Sequence, residues 1–273
     1  MKIGIDMGGT NLRAALIDKQ NILNIHSTSC PAGGTEQEVL NTLKKLIKGL
    51  MTNEVTGIGA GIPSVVDVEK GIVYNVANIP SWKKVELGRI LQEEFSLPVK
   101  LNNDSNCFTL GIHNYGEGHD YNDMLGITIG TGIGTGIITN GQLYIGHNTG
   151  AGEMGSLPYL DHDYEFYCSS SYFRELGITA QTLSAQVEKG QAEACKSWEI
   201  FGQHFGNFIK ATMFTYDPEA IILGGGISKG FPYFKEAMWN SIQDYPYPES
   251  VKNLKIKVST LAHAALLGAA SLV

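Results

Sequence analysis

The sequence predicts an α/β fold built from two related halves, and three observations carry that expectation. The chain opens as a strand, Lys2-Ile3-Gly4-Ile5-Asp6, turns at Gly8-Gly9 and returns as a second strand from Leu12 to Asp18. The same order recurs from Asp123, with a strand from Met124 to Ile129, the turn Gly130-Thr131-Gly132-Ile133-Gly134 and a return strand from Thr135 to Thr139. Around these units strands alternate with amphipathic helices, the pattern of an α/β sheet. The recurrence is seen once and at a spacing too long for a solenoid, so it suggests a duplicated half.

Ile22 to Thr28 extends the opening pair into an antiparallel meander. Val39, Leu43, Leu46, Ile47 and Leu50 fall on one face of a helix predicted from Glu36 to Leu50. Val55 to Gly61 reads as the next strand, Val85 to Phe95 as a helix and Val99 to Asn102 as a strand. In the second half, helices over Phe166 to Glu175 and Ala192 to Tyr216 precede an all-apolar strand, Ala220 to Leu223, which ends in Gly224-Gly225-Gly226. An Ala-rich apolar helix from Ala262 to Leu272 closes the chain. No linker composition separates the halves, so the expected boundary is a hinge near residues 105–122. That places an N-terminal lobe at residues 1–110 and a C-terminal lobe at 111–260, with the tail helix, about 261–273, packing back on the first lobe.

Composition narrows the function classes. The chain has 273 residues, 43% of them hydrophobic, and no segment approaches the ~18 uninterrupted apolar residues of a membrane span. A net charge of −7 without a basic run offers no electrostatic footprint for nucleic acid. The start runs straight into a strand carrying an acid, not into a signal peptide. Cys30, Cys107, Cys168 and Cys195 are far apart with no Cys-x-x-Cys pair, which suggests reduced thiols in a cytoplasmic protein. Glycine is the outlier, at 33 residues, or about 12% against a usual share of roughly 7%.

Three glycine clusters are candidates for chemistry. In Asp6-Met7-Gly8-Gly9-Thr10-Asn11-Leu12-Arg13 a strand-end acid precedes a turn whose small residues let backbone N–H groups approach phosphate oxygens, and an ordinary Gly-rich hairpin accounts for it equally well. The turn Gly130 to Gly136 repeats the logic with more alternate glycines than a hairpin needs. Gly224-Gly225-Gly226 suits a backbone passing close to a flat ligand, or a helix-entry turn. No Gly-x4-Gly-Lys-Ser/Thr string exists, and the Gly-x-Gly-x-x-Gly string at Gly150 to Gly155 has no strand leading into it, so neither the P-loop nor the dinucleotide reading stands. Asp104 follows a strand end within a polar cluster, Asn102, Asn103, Ser105 and Asn106, where open α/β sheets place ligands. A carboxylate there can accept a hydroxyl proton during phosphoryl transfer, and a helix cap at Asp104 or Ser105 explains the same residues. Glu153 and Glu165 on their own read as caps or solvated acids. The seven histidines show no metal-ligand spacing.

Taken in order, seven strings resemble the ROK family of sugar kinases and sugar-responsive repressors, within the actin-like ATPase superfamily. They are Asp6-x-Gly8-Gly9-Thr10-x-x-Arg13, Gly61-Ile62-Pro63, Asn78-Ile79-Pro80-x-Trp82, Asn103-Asp104-Ser105-Asn106, Gly130-Thr131-Gly132-Ile133-Gly134, Ala151-Gly152-Glu153-x-Gly155 and Ile222-Leu223-Gly224-Gly225-Gly226. The resemblance covers essentially the whole chain and implies two ribonuclease-H-like lobes closing over a central cleft, with ATP on one lobe and a hexose between them. It assigns Gly8, Gly9, Thr10, Arg13, Thr131, Gly132 and Gly134 to the ATP phosphates and Gly224, Gly225 and Gly226 to the adenosine. Asp6 is assigned to Mg2+, directly or through water or phosphate. Asn78, Asn103, Asp104, Glu153 and Glu165 are assigned to the sugar, with Asp104 as base on its 6-hydroxyl. A homodimer is implied as well.

The departures are specific. Ser156 stands where the family has a histidine, and its Cys-x-Cys-Gly-x-x-Gly-Cys zinc segment is missing, so no zinc site is expected. Ser64 stands where a glycine is usual, which narrows the pocket for sugars with a bulky 2-substituent. The expected activity is an ATP-dependent, glucokinase-like hexose kinase. The alternatives are a kinase for an N-acetylated hexosamine or another hexose, and a sugar-binding regulator without activity. A DNA-binding repressor is not expected, because Met1 begins the first strand.

Overall fold

The computed structural model describes residues 1–8 and 10–273. The first half runs β1 (Lys2–Met7), β2 (Asn11–Asp18), β3 (Asn21–Ser29), α1 (Glu36–Lys48), β4 (Ile58–Ile62), the short strands β5 (Val65–Asp67), β6 (Ile72–Tyr74) and β7 (Lys84–Val85), α2 (Leu87–Phe95) and β8 (Val99–Asn103). Helix α3 (Asp104–Tyr115) follows at once. The second half runs β9 (Met124–Ile129), β10 (Ile133–Thr139), β11 (Gln142–Tyr144), a 3-10 turn at Met154–Ser156, the hairpin β12 (Pro158–Tyr159) and β13 (His162–Asp163), then α4 (Tyr164–Cys168), α5 (Ser170–Glu175), α6 (Ala180–Glu188) and α7 (Ala192–Tyr216). The remainder is β14 (Ala220–Gly224), a 3-10 turn at Ile227–Gly230, α8 (Phe231–Ile242), α9 (Pro248–Asn253), β15 (Lys255–Val258) and α10 (Ala264–Ala270).

The duplication hinted at by the turns extends to whole sheets. One has the order β3-β2-β1-β4-β8 and the other β11-β10-β9-β14-β15. In each, three antiparallel strands are continued by two parallel ones, β4 and β8 beside β1, and β14 and β15 beside β9. Parallel strands buried on both faces read as continuous apolar runs, as Ala220-Ile221-Ile222-Leu223 does with every residue 0% exposed.

Local chemistry sets the helix ends. Thr35 caps α1 in a capping box with Glu38, and α1 buries Val39, Leu40, Leu43, Leu46 and Ile47 against the first sheet. The second core gathers around α7, where Trp198, Phe201, Phe205 and Phe208 follow one another at helical spacing and meet Phe173 and Phe234. The tail helix α10 lies on the first sheet, with Leu266, Leu267 and Ala270 against Ala15 and Ile17. Its approach is so close that a Cβ on Gly59 would collide with the Ala269 carbonyl.

Residues 105–122, expected as a hinge, begin with most of α3, which wedges between the sheets. Its Thr109 hydroxyl bonds its own Ser105 carbonyl at 2.7 Å and sits against Gly126 and Gly136 of the second sheet, while Cys107 packs on Gly61 of the first. The helix expected over 166–175 is two shorter ones, broken at Ser169, whose hydroxyl caps α5 by accepting from the Ser171 N–H. No helix among the described residues is long and apolar enough to cross a membrane.

Candidate active site

The carboxyl ends of β1, β4 and β8 meet the β9–β10 turn across a cavity of about 610 Å³. Polar residues gather there because parallel strands expose unpaired backbone groups at that end, and helices begin there. Asn103 caps α3, its Oδ1 accepting from Ser105 N at 2.8 Å and Asn106 N at 3.3 Å. The capping role that the sequence left open for Asp104 or Ser105 thus belongs to their neighbour. Asp104 occupies the first helical position and lines the cavity, with Oδ1 accepting from Ser105 N at 2.9 Å. Beneath it Ser105 Oγ meets Thr128 Oγ1 at 3.2 Å, joining α3 to β9 at the cavity floor.

Electrostatics single out Asp104. Burial pushes its carboxyl up to about 7, the charge of Asp6 adds to the rise and that of Glu153 adds less, against the opposing bonds from the Ser105 and Asp104 N–H groups. Burial is also the first cause of the rise at Glu153, with Glu165 second. Asp6 is 9% exposed and does not line the cavity, and Arg13 Nη2 donates to its Oδ2.

The β9–β10 turn supplies the facing wall. Gly130 N donates to Gly132 O at 2.9 Å, and Ile133 N donates to Glu165 Oε2 at 3.0 Å. The N–H groups of Thr131 and Gly132 bond no protein acceptor among the described residues, which leaves two donors for an anion. A Cβ at Gly132 would meet the Glu165 carboxylate, so a side chain there would push that carboxylate off the Ile133 N–H.

Of the residues singled out from sequence, Gly8, Asn78, Asn103, Asp104, Thr131, Gly132, Gly134, Glu153, Glu165 and Gly225 all line this cavity. Asp6, Thr10 and Arg13 do not line it, and Gly9 lies outside the described residues. Gly224 is buried at the end of β14 under the Phe108 ring and faces neither this cavity nor the next. Gly226 lines a second cavity of about 630 Å³ that meets the first at Gly130. Its walls include Phe173, Ile178, Ile227 and Trp198, and the buried Trp198 Nε1 has no hydrogen-bond partner among the described residues. Sequence reasoning missed Thr128 and Thr135, both on the first cavity. Thr135 Oγ1 is buried and has no hydrogen-bond partner among the described residues. Alternation along the strands marks both threonines as strand residues but does not say that the strand end opens on a cavity.

Comparison with known proteins fits this geometry. The ROK family profile matches residues 2–273. The chain belongs to the ROK family. The glucokinase of Thermotoga maritima is 26% identical over 305 residues, covering 99% of this chain and 96% of the relative. The N-acetyl-D-glucosamine kinase of Haemophilus influenzae is 28% identical over 273 residues, covering 87% and 88% respectively. Among solved structures, a candidate sugar kinase from Cytophaga hutchinsonii superposes with a TM-score of 0.90 at 26% identity, covering 100% of this chain and 99% of the other. The fold is that of the actin-like ATPases, two lobes about a central cleft, as the motifs of this ROK chain implied.

Proposed function

We propose that this ROK protein transfers the γ-phosphoryl group of ATP to the 6-hydroxyl of a hexose, glucose being the first substrate to test. The chain is an ATP-dependent sugar kinase on the strength of its family and its glucokinase relatives. The observation that carries the mechanism is the placement of Asp104 on a cavity wall, facing a glycine turn with two unbonded N–H groups.

In this reading Asp104 accepts the proton of the attacking hydroxyl, the role a positioned aspartate plays in phosphoryl transfer. Asn103 and Glu165 orient the sugar from opposite sides, and Glu153 and Asn78 contact its remaining hydroxyls. The Thr131 and Gly132 N–H groups hold phosphate oxygens, where a fixed backbone dipole stabilises charge without reorganising. The second cavity suits adenosine, with apolar and aromatic walls at Phe173, Ile178, Trp198 and Ile227.

Asp6 would hold a magnesium ion through water or phosphate, since it does not itself line the cavity. Arg13 engages Oδ2, and among the described residues Oδ1 has no side-chain donor, so it would be the hard oxygen of the kind Mg2+ shares with phosphates. When bound, the ion supplies neutralisation of phosphate charge. The test is coupled ATP consumption against a panel of hexoses and N-acetylhexosamines with Asp104→Asn as the control. Turnover on a hexose that disappears in the variant supports the reading; no turnover on any sugar, or an unimpaired variant, refutes it.

A further inference from the structure

Glu165 sits in an unusual mechanical position. Its helix, α4, is only five residues long, too short to hold itself by its own hydrogen bonds. It follows a hairpin whose tip, Leu160, is 69% exposed with a φ of 53°. Asp163 caps α4, its Oδ1 accepting from Phe166 N at 2.8 Å, but a cap fixes the start of a helix and not its rotation about its axis.

What fixes the rotation is an aromatic cluster whose members do not line the cavity. Tyr159 of β12 stacks on Tyr164, ring centroids 4.4 Å apart and planes 13° from parallel, and stands edge-on to Tyr167 at 5.5 Å. Its hydroxyl shares a hydrogen bond of 3.2 Å with Nδ1 of His204, which projects from the long helix α7. The His204 ring in turn lies 4.7 Å from that of Tyr167, and Tyr164 packs on Phe208 of the same helix at 5.3 Å. Tyr159 is therefore a wedge with one face on α4 and its polar end on α7. Tyr164 is the residue immediately before Glu165, so any slip of that stack is passed directly to the carboxylate bonded to Ile133 N.

We propose that Tyr159 and His204 are positioning residues for the sugar, acting through Glu165 by locking α4 against α7. The proposal rests on the reading of Glu165 as a sugar ligand. Misplacing a ligand group by about an ångström costs on the order of tenfold to a hundredfold, and here the loss falls on the sugar and not on the nucleotide.

Steady-state kinetics on the full chain test this, with sugar and ATP varied separately and thermal stability measured alongside. Tyr159→Ala is expected to raise the sugar KM by about tenfold or more with the ATP KM within about twofold of the parent. Tyr159→Phe keeps the stack and loses the hydroxyl's polar contacts on α7, the bond to His204 and that to Asn207, so a smaller rise is expected with little change in stability. His204→Ala removes its bond to Tyr159 together with the ring contact to Tyr167, so it should cost at least as much as Tyr159→Phe, and adding Tyr159→Phe to it should cost little more, because the shared bond is already gone. On a Glu165→Gln background, Tyr159→Ala should add less than about twofold. A full additional effect on that background, or an equal rise in the KM for ATP, would mean that the cluster acts by general packing and overturns the clamp. An impaired Glu165→Gln beside a silent Tyr159→Ala overturns the clamp alone. A Glu165→Gln chain with the parental sugar KM overturns both the ligand assignment and the clamp.

Discussion

The ionisation of Asp104 can be turned into a pH profile. Its carboxyl is pushed up to about 7, first by burial and next by the charge of Asp6. A general base works only when deprotonated, so activity must appear as pH rises through about 7 and vanish below it. With that midpoint, roughly a tenth of the free enzyme carries the active form at about pH 6 and roughly nine-tenths at about pH 8. The perturbation is Asp6→Asn, which removes the second cause of the rise and leaves the Arg13 guanidinium without its partner. Both changes favour the charged carboxylate, so the midpoint should move to lower pH. The assay is kcat/KM for the sugar between about pH 5 and pH 9, which reports the free enzyme, paired with a carbon NMR titration of the Asp104 carboxyl that does not depend on turnover. The parent should show a limb of unit slope below about pH 7, displaced in the variant. A profile flat down to about pH 5, or a carboxyl titration unmoved by Asp6→Asn, would refute the electrostatic account.

Other consequences are independent of that profile. Gly59→Ala places a Cβ against the Ala269 carbonyl of α10, where backbone must yield, and should lower the melting temperature by about 5–10 °C without altering either KM. An unshifted melting curve would contradict the close approach. Ser64 lines the cavity and donates its hydroxyl to the Tyr74 carbonyl, so Ser64→Gly should open that wall. The ratio of kcat/KM for N-acetylglucosamine over glucose is expected to rise about tenfold, and a ratio that stays fixed removes Ser64 as a selectivity element.

The strand meander, the glycine turns and the amphipathic helix α1 were legible because each carries a local signature: period two, a small-residue turn, a single apolar stripe. Helix α3 was legible only at its start, as the cap weighed at Asp104 or Ser105, though it holds the site together. It is buried on almost every side, from Ser105 to Thr109 and again at Gly111 and Ile112, so it presents no stripe to read. Strands β5 to β7 have two or three residues each and leave no periodic trace. The motif residues mostly converged on one cavity, because strand-end positions in a parallel sheet all open on the same edge. The burial of Gly224 under Phe108 follows from packing between segments about a hundred residues apart, which spacing along the chain does not encode.

The central claim is that Asp104 moves a proton during phosphoryl transfer to a sugar 6-hydroxyl. The most direct measurement is phosphorus NMR of the product formed from ATP and glucose by the parent and by Asp104→Asn at matched concentrations of folded protein. The account predicts glucose 6-phosphate from the parent and a rate lower by about a hundredfold or more from the variant, with sugar binding retained. Phosphate appearing on another hydroxyl, or a variant within about twofold of the parent rate, would contradict it.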